Sequence, residues 1–224
     1  CASPAGVRKV DARQVHRTLT VNVLSSGQPS VPSWQVLQRS GLREVFDENP
    51  ADAIAALSTR ELSDGRVFAL AELSFWLGEK TGERGRYLAA AIYAYAFLFP
   101  GTAGTPPLAT DPRYRLACDL YNRGLTEGID PKLLAGGDWA GEHIQTPLGD
   151  LDVAFDRREL EWSGWQLGEF LPAAYLEVRG LRNRYRHPGI GAPLVASLAQ
   201  PDAGAGAEQL RAHIPPRLKV PVTA

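Results

Sequence analysis

Residues 67–80 carry apolar and small positions at helical spacing: Val67, Leu70, Ala71, Leu73, Ser74, Leu77 and Gly78 form one broad stripe. A glycine-punctuated break follows at Thr81-Gly82-Glu83-Arg84-Gly85. A second run, Tyr87 to Phe99, is rich in alanine and aromatics and is stopped by Pro100-Gly101. Two helices joined by so few residues pack antiparallel. Pro50, at a first-turn position, opens a helix over 51–62 that Ser63-Asp64-Gly65 ends. Asp111 as N-cap with Pro112 behind it opens another over Arg113 to Glu127, closed by Gly128.

Residues 11–128 therefore predict helices. Trp76-Leu77-Gly78, Ala89, Tyr93 and Pro100 give half of a tetratricopeptide-like pattern, without a second copy at the repeat period. An irregular helical bundle fits the same residues.

The pattern changes after about residue 130. Leu151 to Phe155 alternates apolar and polar with period two. Phe170 to Val178 mixes aromatic and branched residues, and Leu181 to Tyr185 reads as extended. Pro188 to Pro193 is an irregular loop that releases Leu194-Val195-Ala196, and residues 200–208 have linker chemistry. Leu218 to Ala224 starts as a strand and stops, so its backbone groups call for a partner upstream or in further polypeptide. The predicted class is α+β, mainly α. A tether (1–10) precedes helical hairpins (11–130) and a small strand-containing region (131–224), incomplete at its C-terminus.

Composition adds limits. The 224 residues carry a net charge of −1, with 44% hydrophobic and 22% charged side chains, as in a packed globular chain. Near-zero charge argues against a general nucleic-acid binder. No apolar run reaches the length of a membrane-spanning helix. The chain has no methionine and begins Cys1-Ala2-Ser3-Pro4-Ala5-Gly6. That start resembles a mature bacterial lipoprotein; a chance cut ahead of Cys1 is the alternative. The resemblance implies diacylglycerol on the Cys1 thiol, an anchored and not a spanning body, and sorting to the outer membrane. Cys118 then has no disulfide partner and reads as a small buried hydrophobe. His16, His143, His187 and His213 are scattered without metal spacing, and no cofactor is expected.

No catalytic motif is present. The nucleophile elbow, the dinucleotide and nucleotide glycine loops and the zinc-protease helix signature are all missing. Glu142 and His143 lie near Asp138 in a predicted loop. A carboxylate beside an imidazole can do acid–base work, but a solvated loop is the reading favoured here. Arg179, Arg182, Arg184 and Arg186 stand out in a chain with four lysines. Their guanidinium forks suit carboxylates or phosphates. They can pair with acids of the helical layer such as Glu61, Asp64, Glu72 and Asp119, bind lipid phosphates, or hold another domain. Asn122, among apolar neighbours on its helix, needs hydrogen-bond partners if buried.

The leading Cys1 joins three blocks: Tyr93 to Phe99, Leu120-Tyr121-Asn122-Arg123-Gly124-Leu125, and Gly180 to Arg186 with Gly189 to Leu194. Together they resemble the N-terminal part of large proteobacterial α/β-hydrolase-like lipoproteins. The resemblance implies a helical and mixed region ahead of a hydrolase domain. This chain holds no nucleophile elbow, so no catalytic residue carries over. The expected function is an envelope accessory or interaction module, non-catalytic by itself. Its partners would be the membrane, through lipid, and a protein or its own further domain; a stand-alone scaffold is the alternative.

Overall fold

The computed structural model describes residues 9–13, 15, 20–101, 104–129, 141–154, 166–176, 189–199 and 219–223. Cys1, Asp138, Leu181 to Tyr185 and all four arginines of the 179–186 cluster lie outside them. The described residues form a mainly helical α+β fold. Four short helices come first: α1 (Val23–Ser26), α2 (Val31–Arg39), α3 (Arg43–Glu48) and α4 (Pro50–Ser58). Three long ones follow: α5 (Asp64–Thr81), α6 (Arg84–Leu98) and α7 (Pro112–Gly128). The strands are β1 (Glu142–Thr146), β2 (Gly149–Val153), β3 (Gln166–Pro172), β4 (Pro193–Ala199) and β5 (Lys219–Thr223).

Local chemistry sets the helix ends. Asp111 accepts from the Arg113 amide at 2.8 Å, as its N-cap position predicts. Asn49 caps α4 with Pro50 at the first turn. Between α4 and α5 the sequence expectation needs correction. α4 ends at Ser58, and Asp64-Gly65 do not stop a helix but begin one. Ser63 is the N-cap of α5, and Asp64 places a negative charge in the first turn, where the helix dipole favours it.

Helix α5 lies at the centre. Ten of its residues are buried, from Phe68 to Gly78. Its core partners include Leu37 of α2, Phe46 of α3, Leu57 of α4, Ala90 of α6 and Leu120 of α7. The α5–α6 hairpin is antiparallel, as the short break requires, and Gly78 sits so close to the Tyr87 ring that an added Cβ would stand only 3.1–3.2 Å from its carbons. A second cluster joins Phe68, Phe97, Leu98 and Ala117.

The strands form two small antiparallel sheets, β1-β2 and β3-β4-β5. The first is a hairpin in register Glu142 opposite Val153 and Thr146 opposite Gly149. Its two-residue turn, Pro147-Leu148, delivers the chain to Gly149 at φ +123°, a conformation that favours glycine. The Thr146 hydroxyl closes the turn by donating to the Gly149 carbonyl at 2.7 Å. This hairpin corrects the loop expected around Glu142 and His143. In the second sheet β5 pairs with β4, Pro193 opposite Thr223 and Ser197 opposite Lys219. The C-terminal strand thus finds its partner upstream, within the same chain.

Candidate functional site

The polar residues singled out in the sequence gather at the joints between elements. The first joint fixes the β1-β2 hairpin to the helices. Arg84, at the first position of α6, donates from both terminal nitrogens to the two Glu142 carboxylate oxygens, at 2.7 and 2.8 Å. Its Nε donates to the Gly128 carbonyl at the end of α7, at 3.0 Å. One guanidinium therefore holds the start of α6, the end of α7 and β1. Beside it, Gly85 gives the backbone of Gln145 room for contact that a Cβ would block. An open cleft of about 710 Å³ runs along this joint, between residues 82–86 and 142–147. Its cations are matched by anions: Arg84 by Glu142, and Arg86 by Glu83 at 3.0 Å.

Glu142 and His143 do not converge. They are neighbours on a strand, so their side chains leave opposite faces. Ile144, on the Glu142 face, is buried. His143 stands in solvent, its Nδ1 2.8 Å from Asp152, the residue directly across the hairpin. Its Nε2 lies 3.5 Å from Asp150 on the diagonal. The hydrogen bond to Asp152, then the charge of Asp150, raises the imidazole above its usual value. A concerted acid–base pair of Glu142 and His143 on one substrate is excluded by this geometry.

The second joint is on α7. The Asn122 amide donates to the Gly189 carbonyl at 3.0 Å, and its oxygen accepts from the Gly191 amide at 2.7 Å. Ile190, between them, packs on the cluster around Phe68 and Phe97. Farther along α7, Tyr175 donates to Glu127 at 2.6 Å. Burial, with Glu127 as bond partner and charge, raises that phenol. Asn122 is thus a structural clamp.

The third joint was not foreseen. Glu72, in the middle of α5, is fully buried. Its Oε1 accepts from the amides of Val23 (3.2 Å) and Ser30 (3.0 Å), at the first turn of α1 and the N-cap of α2. Its Oε2 accepts from the hydroxyls of Ser30 (2.6 Å) and Ser33 (2.5 Å). One turn on, the Trp76 indole donates to the Gly27 carbonyl at 3.2 Å. This corrects the idea that Glu72 is an acid open to the arginine cluster. Burial raises its carboxyl, and the four donors oppose the rise.

Replacing Arg84 by lysine tests the first joint. A single ammonium cannot reach both carboxylate oxygens and the Gly128 carbonyl. The expected loss is about 1–2 kcal/mol, local to the hairpin. Amide exchange should speed up in β1 and β2 while α5 stays protected; equal protection in both proteins would refute the clamp.

Among the described residues, no group of three His, Cys, Asp or Glu side chains converges as a metal cage, and no described helix is long and apolar enough to cross a membrane. No family model, curated protein or solved structure matches the chain.

Proposed function

We propose that the chain is a lipid-anchored accessory module of the bacterial cell envelope, attached to the outer membrane through Cys1 and non-catalytic by itself. One observation carries the reading. The polar side chains that gather at its joints, Glu72, Arg84, Glu142 and Asn122, are each spent on tying two or more elements together. Such a body suits the holding of a partner better than turnover. The Cys1 start supports the anchor, and the arginines at 179, 182, 184 and 186 are the candidate partner contacts.

The module takes one of two forms. It is the front part of a larger hydrolase-like lipoprotein, or it is a scaffold on its own. β5 pairs with β4 on one side and is the edge strand of its sheet, which is compatible with either form.

The test is the intact mass of the protein taken from its native envelope. An acyl increment on Cys1 is expected; a polypeptide of 24.3 kDa beneath it would select the scaffold. A chain of that length with an unmodified Cys1 would overturn the anchor. A much larger acylated mass would select the hydrolase form.

A further inference from the structure

One surface is left over once the joints are accounted for. The chain from Leu88 to Thr110 holds no charged residue, which is unusual where 22% of all residues are charged. Most of α6 lies within this span. Its outward side is Ile92, Tyr95, Ala96 and Phe99, spaced as one helical face. Ile92 is 39% exposed, Tyr95 48% and Phe99 47%. Tyr95 stacks on Phe99 at 4.9 Å and on Tyr121 of α7 at 5.8 Å between ring centres, so the rings form one continuous patch. Leu108, in the loop after α6, is 74% exposed. An aromatic and aliphatic patch of this kind marks an interaction surface.

Two arguments choose the occupant. The first is chemical. Phenol-tipped rings beside a bare aliphatic side chain, with no charge between them, match the boundary between lipid headgroups and acyl chains. The second is reach, and it rests on the anchored reading above. Eighteen residues separate Cys1 from Thr20, where the continuously described body begins, with one helical turn at Asp11–Val15 among them. At 1.5 Å per residue in that turn and about 3.4 Å elsewhere, they reach about 55 Å at most. The bilayer is then always within range, at high effective concentration. We infer that the uncharged face of α6, with Tyr121 and Leu108, docks on the lipid surface and sets the orientation of the anchored module.

The test uses the full chain with Cys1→Ser, so that no acyl group contributes. It is sedimented with vesicles of phosphatidylethanolamine and phosphatidylglycerol at low and high salt. Binding is expected, with little salt dependence, because the face carries no charge. The double change Tyr95→Ser and Phe99→Ser should weaken it about tenfold or more. Ile92→Ser with Leu108→Ser serves as a second variant, and circular dichroism checks that each one folds. The inference is overturned if the chain does not bind vesicles, or if the variants bind as well as the parent. Binding that salt abolishes and the serine variants leave intact would overturn it in favour of the arginine cluster. A dimer in solution that the serine variants dissociate would assign the face to a second copy. The acyl mass of native Cys1 is measured separately, so failure of the anchor and failure of the face are told apart.

Discussion

Replacing Glu72 by alanine should lower stability by about 3–5 kcal/mol, the largest effect expected of any single change to a side chain here. Four donors converge on that carboxylate inside the core. Removing it leaves them without an acceptor, and each buried donor without a partner costs on the order of 1–3 kcal/mol, partly recovered by relaxation. The melting temperature should fall on the order of 10 °C. Glutamine should behave differently. Its oxygen keeps the two amide bonds, while its amino group donates to the serine hydroxyls, which accept as well as donate.

The pair of variants also separates charge from hydrogen bonding. Burial raises the Glu72 carboxyl above its ordinary 4.5. The folded chain then holds that proton more tightly than the unfolded chain does. The stability linked to it is fully present below about pH 4.5 and is lost as pH rises through the folded-state value. Glutamine stays neutral throughout. Denaturant unfolding across pH should therefore show Glu72→Gln gaining on the parent as pH rises. A parent that instead gains on Glu72→Gln as pH rises would mean that the four donors outweigh burial.

The second large effect is expected where α6 and α7 touch. Gly124 faces α6 so closely that a Cβ would stand 2.6 Å from the Tyr87 carbonyl oxygen and 3.0 Å from the Ala91 Cβ. Neither can turn away, so Gly124→Ala must push two packed helices apart. We expect a loss of about 2–3 kcal/mol, net of the roughly 1 kcal/mol that alanine gains as a helix former. Gly128→Ala is the internal comparison. Its Cβ would also come within 2.6 Å of a neighbour, but there the close atoms are Cγ and Cδ2 of the buried Leu88 side chain, with backbone no nearer than 3.3 Å. Its cost should be smaller, about 1–2 kcal/mol, because a side chain and not backbone has to give. Urea unfolding of the two variants gives the answer; equal losses would show that close backbone approach at Gly124 does not limit the packing.

Much of this architecture was legible because its signals are local. The α5–α6 hairpin announces itself by a period-3.6 stripe, a glycine break and a proline stop. The start of α7 is written in Asp111-Pro112. Asn122 was recognisable as a polar residue that would need partners, though not which loop would supply them. What escaped is long-range. Arg84 and Glu142 stand 58 residues apart, and nothing near either one names the other. β1 reads as a loop because Glu142, His143 and Gln145 interrupt its apolar content; it is a strand because Ile144 is buried and β2 lies alongside. Glu72 did leave a trace. An acid flanked by Ala71 and Leu73, in a helix with apolar residues on every side, has no route to water. That placement alone asks for internal donors. The serines and amide that answer lie around 40 residues earlier.

That distance has a consequence for the order in which the chain can settle. Residues 22–33 emerge from synthesis well ahead of residue 72. Until α5 follows, the amides that open α1 and α2 have no acceptor from the core, and helices of four and nine residues are too short to persist unaided. The N-terminal stretch must therefore stay unsettled while about forty further residues pass, and then close in one late step around a single carboxylate. A pause in synthesis before residue 72 would leave that segment exposed.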